Sequence, residues 1–308
     1  MNKPLISVVI PFYNTGKELG KLLAKLFALD FKDFEVICID DCSTDDSYEM
    51  IKKKRDERLI LLQTEKNAGS AAARNIGLKN IHGKYVVFVD SDDDVADNFF
   101  EKMLGAISDN DVALGVCGFR QRYLHADPIK EVEKFISPAI NRKDSLSWKE
   151  YILLLMIADG RLYSGVNKIY RAETIRKHKL HFDEKLDFAE DTKFVLDYLN
   201  CFDKNSKIAF VPEALYIYNY GTPTSVVSSS SLKWENWQKS YDDVLAWLGH
   251  EPSSSEATIL KKLYRRFRLS HALAVARSPL SIKEQKKYLK MPLLLGAKAV
   301  VKAQKLKK

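Results

Sequence analysis

Long apolar runs are missing from this chain of 308 residues. No stretch approaches the roughly 20 apolar residues that a membrane-crossing helix needs, although 46% of the residues are hydrophobic and 29% charged, ordinary proportions for a folded protein. The opening MNKPLISVVIPFYN has an apolar stretch that strand alternation explains and no small-residue cleavage site, so it does not read as a secretory signal. Cysteine is scarce: Cys38, Cys42, Cys117 and Cys201 form no CxxC pair and have no histidine at zinc-site spacing. That excludes a disulfide scaffold or a zinc finger and leads us to expect reduced thiols in the cytosol. His178 and His181 offer no metal pairing either. Glycine, at 13 residues, supplies no Gly-rich basic loop after the first strand, which runs instead into PFYNTGKEL. Acidic excess is absent from the end of the chain. Residues 230–308 carry 17 Lys and Arg against 6 Asp and Glu, while residues 1–229 carry 32 against 35, so the formal net charge of +8 belongs to the last quarter.

What is present is a rhythm. Strand-like runs at 5–12, 34–40, 59–63, 85–90 and 112–119 alternate with helical patterns at about 17–29, 45–55, 68–80 and 99–107. Strands separated by helices of this length predict βαβ units, hence a mainly parallel α/β sheet with right-handed crossovers and every strand-to-helix loop on one edge. Beyond about residue 120 the pattern loosens into a polar stretch at 121–143, a helix near 148–158, a short run at 166–170, an amphipathic helix at 190–200, and strands at 207–211 and 214–218. Ser228 to Ser231 marks a linker, and the composition then turns helical and basic.

The run KYVVFVDSDDD stops abruptly at four carboxylates within five residues, Asp90, Asp92, Asp93 and Asp94. A strand buried on both faces puts them at its carboxyl end, the edge where open α/β sheets bind ligands. Carboxylates this close repel one another unless a cation or hydrogen bonds offset them, and hard divalent cations with phosphate substrates do so. The alternative is a solvated acidic loop capping the helix that starts near Asp97. Residues i and i+2 at a strand end point the same way, so Asp90 and Asp92 can face one ligand. The loops Pro11 to Asn14, Asp40 to Asp45 and Asn67 to Ser70 converge on the same rim.

With PFYN after the first strand, IDDCSTDD closing the second, then NAGSAAARNIGL and VDSDD, in that order, the chain resembles the family 2 glycosyltransferases of the GT-A fold over about residues 5–225. The resemblance implies a Rossmann-like nucleotide-diphospho-sugar transferase fold. Its catalytic domain would span 1–229, with a nucleotide-binding half to about 119 and an acceptor half from about 120, followed by a basic helical extension over 230–308. It also implies a UDP-sugar donor across the strand ends. Asp41 would contact the base, since an acceptor carboxylate suits the imide N–H of uracil, with Asp40 its neighbour. Pro11, Tyr13 and Asn14 would line the nucleoside pocket, and Asn67 and Gly69 a tight turn. Arg74 would hold base and phosphates, for which a planar guanidinium is suited. Asp92 would bind Mn2+ or Mg2+, Asp90 would reach ribose or metal, and Ser91 lies between them. The metal would neutralise charge building on departing UDP. Glu190 and Asp191 match a downstream acidic pair whose second member is the general base toward the acceptor hydroxyl, which implies one displacement with inversion. Other readings stay open. Asp40 and Asp41 can cap the following helix, Tyr13 can be a core aromatic, Arg74 can form a surface ion pair, and acids suit a first helical turn in any case. Two departures stand out: Val166 precedes Asn167-Lys168 where Trp is common, and the late strand reads Tyr218-Asn219-Tyr220 where Arg or His often follows.

In the tail, Leu260, Leu263, Tyr264, Phe267, His271 and Ala274 recur at helical spacing against Lys261, Lys262, Arg265, Arg266 and Arg268, a stripe suited to docking. After Pro292, Leu293, Leu294, Ala297, Val300 and Val301 oppose Lys298, Lys302 and Lys305. Residues 260–308 therefore read either as a contact for an anionic membrane surface, at the inner face of the plasma membrane, or as a solvated terminal helix. The expected location is the cytoplasm. The expected acceptor is a glycan or lipid-linked glycan, as among relatives that build bacterial surface polysaccharides. Two competing classes are a nucleotidyltransferase making nucleotide sugars, which would want the missing Gly-rich loop, and a catalytically silent nucleotide-sugar binder. Nucleic acid is disfavoured, because the rim is acidic and the basic tail lacks interleaved exposed aromatics.

Overall fold

The computed structural model describes residues 3–124, 129–134, 146–158, 162, 164–186, 188–220 and 233–277. Two compact units emerge, one of residues 1–139, 164–184 and 194–225, the other of 140–163, 185–193 and 226–308.

The first unit is built on β-branched runs. β1 (Ile6–Phe12) and β2 (Phe34–Asp40) are buried at every position, as strands covered on both faces must be. They pair in parallel with each other, β2 with β3 (Leu59–Gln63) and β1 with β4 (Tyr85–Phe88). The crossovers are α1 (Gly16–Ala28), α2 (Ser47–Lys52) and α3 (Ser70–Lys79). Helix α1 buries Leu19, Leu22, Leu23 and Leu26, one stripe at i, i+3, i+4 and i+7. This parallel half follows the sequence expectation to within two or three residues at each boundary.

The other half is mixed. Around β5 (Asp94–Val95), α4 (Phe99–Ala106), β6 (Val112–Tyr123), β7 (Lys130–Lys134), β8 (Lys168–Arg171), α6 (Ala172–Lys177) and β9 (Lys207–Tyr220) the sheet reaches nine strands in the order β3-β2-β1-β4-β8-β6-β9-β5, with β7 beside β6. Where the sequence suggested strands at 207–211 and 214–218, one strand runs through a bulge at Pro212. There the pairing jumps from Cys117↔Val211 to Phe119↔Tyr216, and the proline's missing donor falls where no ladder bond is needed. The polar stretch from Gln121 conceals a hairpin: Arg120↔Glu133 and Arg122↔Glu131 face each other across β6 and β7, with Arg122 Nε donating to Glu131 at 2.7 Å. Opposite charges compensate there for absent apolar alternation.

Two constraints shape the carboxyl edge. The first is Pro11. Val89 N–H donates to the Val9 carbonyl at 3.2 Å, and β1 is parallel to β4, so the next donor toward β4 would be the nitrogen of Pro11. It has no hydrogen. The β1–β4 ladder stops there while β2 continues beside β1 to Asp40, and the two strands part where the connections reverse direction, the switch point of open α/β sheets. The second is the short link from β4 to β5. In a flat sheet four strand spacings of roughly 4.8 Å separate them, about the reach of a fully extended link. Yet the link holds a turn, with Asp93 N–H on the Asp90 carbonyl at 3.1 Å. The sheet therefore curls, bringing β9 to the end of β4.

The second unit holds α5 (Trp148–Ala158), α8 (Trp234–Leu248) and α9 (Ser254–Arg277). α7 (Glu190–Leu199) is divided between the units after Lys193. Aromatic packing joins α8 to α9 through Tyr241 and Tyr264, ring centroids 4.9 Å apart, and Trp237 and Phe267, 6.0 Å apart. Lys149 Nζ caps the end of α8 on the Trp247 and Leu248 carbonyls. Along α9, Leu260, Leu263, Phe267 and His271 are buried, while Lys261, Lys262 and Arg265 are exposed. The tail after Pro292, the side chain of Ala274 and the Ser228 to Ser231 linker lie outside the described residues. No described helix is long and apolar enough to cross a membrane.

Candidate active site at the carboxyl edge of the sheet

Four loops meet at this edge, after β1, β2, β3 and β4, and side chains tie them to one another and to β9. After β1 the chain turns through Asn14 at φ 54°, a left-handed conformation that asparagine tolerates. Asn14 then bonds the loop after β2: its N–H donates to Ser43 Oγ at 2.9 Å, and its Oδ1 accepts Thr44 N–H at 2.8 Å. Thr15 and Ser91, both buried, share a hydrogen bond of 2.8 Å that ties the β1 loop to the acidic turn. Tyr13 is 41% exposed, so it does not serve as a core aromatic. Pro11 is buried and Asn67 exposed.

Asp40 and Asp41 divide their work. The fully buried Asp40 carboxylate accepts Ser43 N–H at 3.1 and 3.2 Å, Ser43 Oγ at 2.5 Å and Gln63 Nε2 at 2.8 Å, so it shapes the loop that it opens. Asp41 accepts Thr64 Oγ1 and Ala68 N–H at 3.0 Å each and Gly69 N–H at 2.7 Å. Gly69, at φ 87°, is the residue before α3, a conformation open to glycine. Asp41 thus spends its acceptors on the approach to α3.

α3 carries Arg74 back to the acids. The buried guanidinium donates to Asp90 Oδ1 at 2.8 Å and lies over the Phe182 ring at 5.4 Å. Phe182 in turn stacks on Phe194, centroids 4.2 Å apart. Arg74 is therefore an anchored cation at the edge rather than a mobile surface group.

In the acidic turn, Asp93 is buried and held by β9. Its Oδ2 accepts the Tyr216 hydroxyl at 2.7 Å, and its Oδ1 accepts Asn219 N–H at 2.9 Å. Tyr216 Oη also accepts Asp90 N–H at 3.1 Å, and Asn219 Nδ2 donates to the Asp92 carbonyl at 2.8 Å. Asp94 points elsewhere, to Lys25 at 3.1 Å and Arg122 at 3.8 Å. Burial, then the charges of Asp90 and Asp92, push the Asp93 carboxyl well above the usual carboxylate range. Burial, then the charges of Asp93 and Asp90, push up the hydroxyls of Tyr216 and Tyr218. A strong negative potential is concentrated at this turn.

Glu190 and Asp191 open α7, half-buried, behind Ala189 at φ 63°. They fall in the second unit.

The Asn167-Lys168 pair is structural within the first unit. Fully buried Lys168 donates to the Ser164 carbonyl at 2.5 Å, Asn167 Oδ1 at 2.8 Å and the Val166 carbonyl at 3.3 Å. Sequence reasoning passed over Thr15, Gln63, Thr64 and Tyr216, and met Asn219 only as a departure from the family pattern. One signal was available for Tyr216: tyrosines at 216, 218 and 220 share one face of a strand.

Residues 7–177 match the family model "Glycosyl transferase family 2". The chain belongs to this family. Among relatives of this family 2 glycosyltransferase, the "Uncharacterized glycosyltransferase EpsJ" of Bacillus subtilis is 28% identical over 253 residues, 80% of this chain and 70% of EpsJ. Among solved structures, a Staphylococcus aureus TarS fragment of residues 1–349 superposes with a TM-score of 0.66 at 22% identity, covering 96% of this chain and 81% of the fragment. The same fragment has been solved with UDP-GlcNAc, where the TM-score is 0.61 at 21% identity, over 97% of this chain and 79% of the fragment. The mannosyltransferase PcManGT of Pyrobaculum calidifontis, solved with GDP-Man and Mn2+, superposes at 0.60 with 15% identity, over all of this chain and 82% of PcManGT. The transferase has the GT-A fold, with helices following the sheet domain.

Asp41→Asn tests how the α3 approach is held. The amide keeps the shape but leaves three donors competing for one carbonyl oxygen, a loss of about 2 kcal/mol. Calorimetry should show a melting temperature lower by roughly 4–8 °C; an unchanged melting temperature would show that the carboxylate does not hold the loop.

Proposed function

We propose that this glycosyltransferase moves a sugar from a UDP-sugar to a hydroxyl of a glycan or lipid-linked glycan, with inversion, in the synthesis of a bacterial surface polysaccharide. The observation that carries the reading is the buried Arg74 paired with Asp90 at the switch-point edge, an anchored cation beside a cluster of acids. A diphosphate meets both there. Pro11, Tyr13 and Asn14 would flank the nucleoside, with Asp41, Asp40 and Asn67 on the side of the base. TarS solved with UDP-GlcNAc supports a UDP-sugar as donor.

A divalent cation fits the chemistry of the turn. No group of three or more His, Cys, Asp or Glu side chains set to hold a metal ion occurs among the described residues, but Mg2+ and ions like it are commonly bound by one or two carboxylates with substrate phosphates completing the shell. Burial is the main cause that raises Asp93, Tyr216 and Tyr218, and the neighbouring acids that add to it make a potential of the sign such an ion offsets. Asp92 and Asp90 would hold Mn2+ or Mg2+, with Ser91 between them. When bound, the ion would neutralise charge developing on the UDP leaving group. Asp191 would take the proton from the acceptor hydroxyl, with Glu190 beside it, as a single displacement with inversion requires. The basic face of α9 and the residues that follow, 260–308, would rest on an anionic membrane at its cytoplasmic side.

UDP release measured across a panel of UDP-sugars should single out one donor, with turnover requiring Mn2+ or Mg2+. Asp92→Ala should lower it at least a hundredfold, and full turnover in that variant would overturn the metal assignment. Asp191→Asn should abolish transfer to acceptor while UDP still binds in calorimetry; simultaneous loss of both would make the residue structural. Flotation with phosphatidylglycerol vesicles should carry the full chain but not one truncated after Pro292, and equal flotation of the two would refute the membrane contact.

A further inference from the structure

We infer that Tyr216 and Asn219, on the distant strand β9, are positioning residues that set the geometry of the acidic turn for the metal–diphosphate complex. The inference rests on the function proposed above. Asp90 and Asp92 come at the end of β4, and a four-residue strand cannot by itself fix the conformation of a turn leaving it. Within the turn, Asp93 N–H donates to the Asp90 carbonyl at 3.1 Å. Strand β9 also holds its backbone. The Tyr216 hydroxyl accepts Asp90 N–H at 3.1 Å and donates to Asp93 at 2.7 Å, bridging the first and fourth residues of the turn with one oxygen. Asn219 grips the turn with two groups: its N–H holds Asp93 at 2.9 Å, and its Nδ2 holds the Asp92 carbonyl at 2.8 Å.

Asp90, Asp92 and Asp93 are therefore each held from β9, and two of the bonds are to main-chain atoms of the residues assigned to the ion. Tyr216 is fully buried, with Phe119 packed against its ring at 5.4 Å, so the hydroxyl has little freedom to follow the turn if the turn moves. Such a rigid support gives the ion's carboxylates their spacing before the ion arrives, which lowers the ordering cost of binding it. A tyrosine that only stabilised the sheet would do none of this. Tyr198 provides that comparison within the same unit: equally buried, its hydroxyl donates to the Ala113 carbonyl at 2.8 Å and accepts Arg171 N–H at 2.9 Å, away from the acids.

The experiment is a calorimetric titration of Mn2+ into the full chain with UDP present, run on wild type, Tyr216→Phe and Tyr198→Phe, with melting temperatures recorded for each. The expected result is that both variants lose similar thermal stability, while only Tyr216→Phe raises the half-saturating Mn2+ concentration, by about tenfold. Tyr198→Phe should stay within twofold of wild type. Equal half-saturation in Tyr216→Phe and wild type, or an equal rise in both variants, overturns the inference. Should Tyr216→Phe fail to fold, Asn219→Ala decides by the same titration: a rise of about threefold supports the inference, and none refutes it. A wild type that binds no Mn2+ with UDP overturns the proposed function and this inference with it.

Discussion

Repulsion among like charges governs the carboxyl edge. Four carboxylates stand within five residues, and separate elements of the fold meet them: the Asp90 carboxylate pairs with Arg74 from α3, that of Asp93 accepts from Tyr216 and Asn219 on β9, and that of Asp94 pairs with Lys25 from α1 and Arg122 from β6, while Asn219 also holds the Asp92 main-chain carbonyl. Hydrogen bonds and ion pairs of this kind contribute about 1 kcal/mol each, and more when charged. Their number matters more than any one of them, because leaving a single acid unanswered would set its charge against its neighbours in a partly dry environment.

That arrangement ties chemistry to topology. The sheet has to curl for β9 to reach the end of β4, and its curling is what lets residues more than a hundred positions apart hold the same turn. Asn14, Thr15 and Asp41 extend the stitching to the loops after β1 and β2 and to the approach to α3. The edge is a network of fixed loops over a rigid sheet, which suits a site that must present several polar groups to one ligand in a set geometry.

The parallel half was readable in the sequence because its signals are local: β1 and β2 are apolar throughout, and the intervening helices repeat every three to four residues. The acids of the turn were equally plain. What was not legible depends on partners remote in the chain. β5 has two residues, too few for any period, and exists because β9 pairs with it. β7 is Lys-Glu-Val-Glu-Lys, a composition that reads as loop until the arginines of β6 lie opposite its glutamates. Asp40 shows the limit most directly. As a residue type it is indistinguishable from Asp41, and only the proximity of Ser43 and Gln63 reveals that its carboxylate braces a loop.

Pro11 has a further consequence. A groove between parallel strands is exposed to a competitor that every polypeptide carries, its own main chain, which will zip a ladder shut wherever donors and acceptors align. Here the zipper lacks one tooth. Because the missing hydrogen is a matter of covalent structure rather than of neighbouring side chains, β1 and β4 part at the same place however the loops around them diverge.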